Sequence, residues 1–285
     1  MKRLTAPTDS VEEIYEKCIS TYQDQDLQQR LSSVIPAIVD ASRDFEVKAA
    51  RAETYRIPTE KTVAGIVSSK EMRNVYDNKF AKSGSPGRSY YDRYLAAPPH
   101  GICPICGIRI VSTLDHYLPK SKHPSLVVTP KNLIPTCYDC NLGSKKTFDA
   151  NNEEEVPLHP YFDDVEHVRW LSVNLTIKGT DLIPSYFVLK PDDWSESFYH
   201  RVQHHLVLYN LPLLYSIHAE QEIVGCKQRW QRIYKKCDLI TLRESLEDDC
   251  GGRESLSLNS WQSALYRSLI SQFDTLCTWL SLQRE

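Results

Sequence analysis

The chain has 285 residues, 41% of them hydrophobic and 25% charged, the make-up of a soluble globular protein large enough for two compact units. No run approaches the roughly 18 apolar residues that span a bilayer, and residues 1–10 carry two early basic charges without an apolar stretch behind them, so neither a membrane helix nor a signal peptide is expected. The net charge of −3 is unevenly spread: residues 43–149 hold 17 Lys and Arg against 10 Asp and Glu, whereas the rest of the chain holds 17 against 27, which suits a polyanionic partner at the middle of the chain.

In chain order, residues 9–54 read as helical. Asp9 or Ser10 is the expected cap, with Glu12 or Glu13 closing a capping box. Val11, Ile14, Tyr15, Cys18 and Tyr22 recur close to a 3.6 period, and Pro36 is expected to split the region into two helices. Residues 56–79 are mixed, with a short helix expected from Thr59 or Thr62. Residues 80–101 read as a looser connection, with a turn signal at Ser83-Gly-Ser-Pro-Gly87. The following Tyr90, Tyr91, Arg93 and Tyr94 either contact phosphates or form a short helix packing Tyr91 and Tyr94 on the core; packing is the favoured reading.

After the motif region at 102–149, Asn151–Glu155 is an acidic break. Residues 168–190 alternate as two strands around a turn at Lys178-Gly-Thr-Asp181. Helix returns from Trp194, with a break near Leu211-Pro212, a long segment over 213–247, a loop at Cys250-Gly-Gly252 and a last amphipathic helix over 259–283.

Two CxxC pairs dominate the sequence: Cys103-Pro-Ile-Cys106 and Cys137-Tyr-Asp-Cys140, separated by 30 residues. Each pair points two sulfurs at one cation, and two pairs complete a closed tetrahedral zinc site with no open coordination position, so this zinc is expected to be structural. In a reducing cytoplasm, the expected location, such pairs mean metal rather than disulfide. Cys18, Cys226, Cys237, Cys250 and Cys277 lack metal-like spacing and read as ordinary thiols.

Between the pairs stand Asp115-His116, preceded by a strand expected over Ile108–Val111, and Asn141 directly follows the last cysteine. Asp115 and Asn141 offer oxygens, which suit Mg²⁺ or a similar hard cation. His116, with an ordinary pKa of about 6.5, suits a general base. Phosphodiester hydrolysis needs this combination: a base for the attacking water and a cation on the phosphate and leaving oxygen. Lys120, Lys122 and Lys131 are further basic residues that could follow a nucleic-acid backbone.

Cys103-x2-Cys106, Leu114-Asp115-His116, Pro119-Lys120, Asn132-Leu133 and Cys137-x2-Cys140-Asn141, followed by Lys145, resemble the HNH (ββα-metal) endonucleases in their zinc-stapled form. The resemblance implies His116 as general base, Asp115 and Asn141 as ligands of a catalytic Mg²⁺ or Mn²⁺, and Asn132 as the residue that braces the loop and orients His116. The sequence has Asn141 where the pattern also uses His, and it stretches the usual CNxxK tail to Cys140-Asn-Leu-Gly-Ser-Lys145-Lys146, so the phosphate-contacting lysine is Lys145 or Lys146. More narrowly, His116-Tyr-Leu-Pro-Lys120, His123-Pro124, Asn132-Leu-Ile-Pro135 and Leu158-His-Pro-Tyr-Phe162 resemble the HNH subunit of Septu-type and retron-linked anti-phage defence systems. That likeness implies a partner, an ABC-type ATPase.

The expected protein is therefore α+β and mostly helical: an N-terminal helical region (1–79), an HNH core with structural zinc (80–165), and a β-hairpin followed by a helical C-terminal domain (166–285). The expected substrate is nucleic acid, either DNA or structured RNA. The rival reading is a non-catalytic zinc-knuckle module that binds nucleic acid or protein, and Asp115, His116, Asn132 and Asn141 discriminate against it, because a zinc staple needs none of them.

Overall fold

The computed structural model describes residues 1–142 and 150–283. The chain divides into two compact units, Met1–Asp164 and Val165–Glu285. With 54% helix and two-stranded sheets alone among the described residues, the protein is α+β and mostly helical.

The first unit opens with α1 (Val11–Ile19), α2 (Gln25–Ser33) and α3 (Ile35–Ala50). The 3.6-residue spacing of Val11, Ile14, Tyr15 and Cys18 turns all four into the core. Pro36 does mark a helix start, seated in the first turn of α3 where its missing N–H costs nothing. The chain breaks once more at 20–24, however, because Asp24 caps α2 by accepting from the Leu27 amide at 3.1 Å. Ser10 precedes α1 without a side-chain cap bond, so no capping box forms there.

A small hairpin of β1 (Thr62–Val63) and β2 (Val67–Ser68) leads into α4 (Ser69–Val75). The helix starts at Ser68 rather than at Thr59 or Thr62, and here a capping box is complete. Ser68 Oγ accepts from the Glu71 amide at 3.3 Å, while Glu71 Oε2 accepts from the Ser68 amide at 2.8 Å. The other Glu71 oxygen pairs with Arg30 of α2 at 2.9 Å. α4 then widens into a π turn over Tyr76–Phe80, a local geometry often found at functional sites.

The stretch after it is not loose. A Cβ on Gly87 would lie 2.8 Å from Cys18 Sγ and 2.9 Å from the Phe80 ring, so only glycine lets the chain pass there into α5 (Arg88–Leu95). Tyr94 is buried and Tyr91 partly so, the packing arrangement. The unit ends with β3 (Thr113–His116), β4 (Leu133–Thr136) and α6 (Tyr138–Leu142). Ile14, Tyr15, Leu31 and Ile38 share one core with Val75, Phe80, Leu114, Val127 and Leu133, so the N-terminal helices and the motif region are built on the same apolar interior.

In the second unit, β5 (Leu171–Lys178) and β6 (Asp181–Val188) form an antiparallel hairpin, with Gly179 at φ 62° in its turn. The helices are α7 (Glu196–Leu208), α8 (Leu211–Lys236), α9 (Leu239–Glu254), α10 (Trp261–Ser271) and α11 (Phe273–Leu282). α8 packs on β6 and α10 on β5. Side chains from the α10 region occupy the open edge of β5. Asn259 accepts from the Trp170 and Leu171 amides, Ser268 from Val173 and Gln272 from Leu175, at 2.9–3.2 Å. An edge satisfied this way offers no template for another strand. Gly251 and Gly252 lie inside α9 rather than in a loop, and the last amphipathic stretch is two helices broken at Gln272.

Glu71 anchors α4 through Arg30 and Ser68, and these partners hold its carboxyl well below the usual range, at about 2. A depressed carboxylate pKa stabilises above the unfolded value of about 4.3 and loses that contribution as pH falls towards the folded value. Glu71→Gln is expected to lower the melting temperature at pH 7. The gap to wild type should stay constant down to about pH 5 and close as pH falls further towards 2. Thermal melts across that range check it.

Candidate functional site

The four motif cysteines converge. All are buried, none is in a disulfide, and their sulfurs lie within 4.8 Å of one another. Cys106 Sγ and Cys137 Sγ are 4.0 Å apart, close to the roughly 3.8 Å edge of a tetrahedron with Zn–S bonds of about 2.3 Å and far from a disulfide bond of about 2.05 Å. The donor set therefore fits a structural zinc. The first knuckle is tied by the Gly107 amide donating to Cys103 O at 2.8 Å, with Gly107 at φ 67°, and by the Arg109 amide donating to Cys106 Sγ at 3.5 Å. Arg109 then pairs with Asp139 of the second knuckle at 2.9 Å.

Residues 108–111 are consumed in closing this knuckle. Cys103 N bonds Arg109 O and Val111 N bonds Gly101 O, both at 2.8 Å, and Ile102–Ile110 is a single bridge. The expected strand there is thus displaced to Thr113–His116, so Asp115 and His116 lie in the strand itself. β3 pairs antiparallel with β4, Asp115 opposite Ile134 and His116 opposite Leu133. Along β3, Leu114 and His116 are buried while Thr113 and Asp115 are half-buried, the alternation of a ribbon with one face on a core.

His116 is clamped. Its Nε2 lies 2.9 Å from Val127 O, and its ring meets Tyr76 edge-on with centroids 4.4 Å apart. A carbonyl oxygen has no proton to give, so in the neutral ring Nε2 carries the hydrogen and Nδ1 the lone pair. Tyr76 is itself fixed from the π turn, its hydroxyl donating to Leu114 O at 3.4 Å, and burial pushes that hydroxyl well above the usual tyrosine range.

Asn132 is fully buried. Its Oδ1 accepts from the Leu118 amide at 2.8 Å, and its Nδ2 donates to Leu118 O at 3.2 Å and Leu126 O at 3.1 Å. It thereby pins both ends of the loop between β3 and β4, one residue from the carbonyl that holds His116. Asn141, on α6, donates through Nδ2 to Thr113 Oγ1 at 3.5 Å.

Asp115, His116, Asn141, Arg73, Tyr76 and Lys120 line one cleft of about 460 Å³. Lys120 is paired with Asp77 at 2.5 Å and sits over the Tyr76 ring at 4.5 Å. Lys145 and Lys146 lie outside the described residues. Lys131 is tied to Glu46 at 2.6 Å, and His159 is packed among Phe45, Tyr117, Tyr161 and Phe162 with Nε2 3.1 Å from Lys131 O. Sequence reasoning passed over Arg73 and Tyr76, which reach the cleft from α4 and its π turn; no spacing in the chain links them to the motif.

The chain is 25% identical to protein ea31 of Escherichia phage lambda, across 96% of the chain and 98% of that protein. It is 31% identical to the Septu protein PtuB of Bacillus thuringiensis over 112 residues, 36% of the chain and 42% of that protein. No protein-family profile matches the chain, and neither does any solved structure. No helix among the described residues is long and apolar enough to cross a membrane.

Purified protein should carry one zinc per chain by elemental analysis. Cys137→Ser should lose it and melt the first unit at lower temperature, since a structural zinc supplies about 10–16 kcal/mol of apparent folding free energy in small units. An unchanged melting curve with no zinc in either protein would contradict the structural role.

Proposed function

We propose that the chain is a metal-dependent endonuclease of the HNH (ββα-metal) kind, hydrolysing phosphodiester bonds of DNA or structured RNA in the Asp115–His116 cleft. The observation that carries this reading is the clamped imidazole. A buried histidine with Nε2 committed to a backbone carbonyl stands beside a carboxylate and a carboxamide in a single cleft. A zinc staple alone has no use for that arrangement, which weighs against a pure binding module.

In this mechanism His116 Nδ1 accepts the proton of the attacking water, and the Nε2–H bond to Val127 O steadies the imidazolium that results. Asp115 and the Asn141 side-chain oxygen would hold a hard cation, Mg²⁺ or Mn²⁺, whose chemistry there is to offset charge on the phosphate and the leaving oxygen. Tyr76 and Asn132 keep the imidazole from rotating away, Tyr76 by direct contact and Asn132 through the loop carrying Val127. Lys120 adds positive charge to the cleft while paired with Asp77.

The partial similarity to a Septu protein supports an anti-phage defence role, and the sequence resemblance adds an ABC-type ATPase as partner. We place the protein in the cytoplasm, where paired CxxC motifs serve metal rather than disulfide.

Wild type and His116→Ala, incubated with Mg²⁺ or Mn²⁺ and a mixture of plasmid DNA and total RNA, test the reading on one gel. Wild type should degrade one substrate class, and the variant should be slower by about 10²–10⁴ with zinc content and melting unchanged. Equal cutting by both proteins would overturn the base assignment.

A further inference from the structure

The Asp115–His116 cleft does not end at the β3–β4 hairpin. A second hollow of about 830 Å³ adjoins it along α4, and the two share Arg73 and Lys120. Three cations and two carboxylates line the second hollow: Lys70, Arg73 and Lys120 against Glu71 and Asp77. Both carboxylates are already engaged, Glu71 by Arg30 at 2.9 Å and Asp77 by Lys120 at 2.5 Å. Lys70 and Arg73 are exposed and have no ion pair among the described residues. They stand at i and i+3 on α4, neighbours on one helix face about 5–6 Å apart. Two arginines further along the chain are occupied by contrast: Arg88 by Asp92 at 2.8 Å and Arg93 by Asp9 at 2.5 Å.

The geometry points to α4 as the phosphate-binding wall of the site, with Arg73 and Lys70 holding successive backbone phosphates of a nucleic-acid strand whose scissile bond lies at His116. This rests on the nuclease reading for the identity of the ligand. The local construction supports it. The Ser68–Glu71 box and the Arg30 pair fix the start of α4, and the π turn fixes its end against His116 through Tyr76, so the cationic face is held rigidly relative to the imidazole. Arg73 offers a planar, permanently charged fork suited to a phosphate, and the neighbouring carboxylates do not compete for it. The wall reads charge rather than base, so binding should be strongly salt-dependent and little affected by sequence.

The test uses His116→Ala as the binding parent, so that probes stay intact, with a labelled 30-base-pair DNA duplex and a labelled 30-nucleotide RNA titrated between about 50 and 200 mM salt. Arg73→Ala should weaken binding about tenfold and lower the slope of log affinity against log salt by about one, the signature of one lost phosphate contact. Lys70→Ala should lower the slope similarly, and Arg73→Lys should restore most of it. Arg51→Ala removes an equal charge from an exposed position outside both hollows and should leave the slope unchanged. If Arg73→Ala and Arg51→Ala bind alike while wild type cleaves, the phosphate wall is wrong and the nuclease reading stands. If the parent binds neither probe and wild type cleaves nothing, both fall.

Discussion

Four sulfurs within 4.8 Å of one another are the constraint on which the site hangs. They lie on two segments that secondary structure alone would not hold together, because a four-residue ribbon and a five-residue helix are too short to be stable by themselves. A cation bridging the sulfurs would fix the start of β3 against the start of α6. That brings Asp115 and Asn141, far apart in the chain, to one cleft. Leu114 and Leu133 seat the same ribbon on the apolar interior that the N-terminal helices supply.

The second constraint is the clamp on His116. Its three supports come from different places: Val127 from the loop between the strands, Asn132 from that loop's far end, and Tyr76 from a helix preceding the first knuckle. A buried polar ring in such a setting is costly unless its hydrogen bond is made, and the bond to Val127 O makes it. The same bond fixes which nitrogen carries the proton, so packing and chemistry are decided together.

The four-cysteine cluster was legible in the sequence because its information is local: two-residue gaps between cysteines set the knuckle geometry directly. The placement of Asp115 beside His116 was legible for the same reason. The strand was misplaced from 113–116 to 108–111 because Ile108-Arg-Ile-Val111 carries the alternating β-branched pattern of a strand, whereas Thr113-Leu-Asp-His116 has one apolar residue. The difference lies in backbone bonds that residues 109 and 111 spend on the knuckle, which side-chain pattern does not encode. Arg73 and Tyr76 were invisible, being ordinary helix residues until the fold sets α4 beside β3. The glycine pair in α9 was misleading: glycine costs about 1 kcal/mol in a helix, a penalty a 16-residue helix packed on its neighbours can carry. The open edge of β5 shows the converse, since nothing in Asn259 or Gln272 announces that they complete a sheet.

The central claim is that Asp115 and Asn141 form a hard-cation site beside a clamped imidazole, distinct from the zinc. Crystals soaked in Mn²⁺ and measured at the zinc and manganese absorption edges address it without depending on a substrate or an activating partner. Two separate anomalous peaks are expected, zinc among Cys103, Cys106, Cys137 and Cys140, and manganese between Asp115 and Asn141 within reach of the His116 cleft. Zinc alone, with no manganese in the cleft at millimolar soaking concentrations, would contradict it.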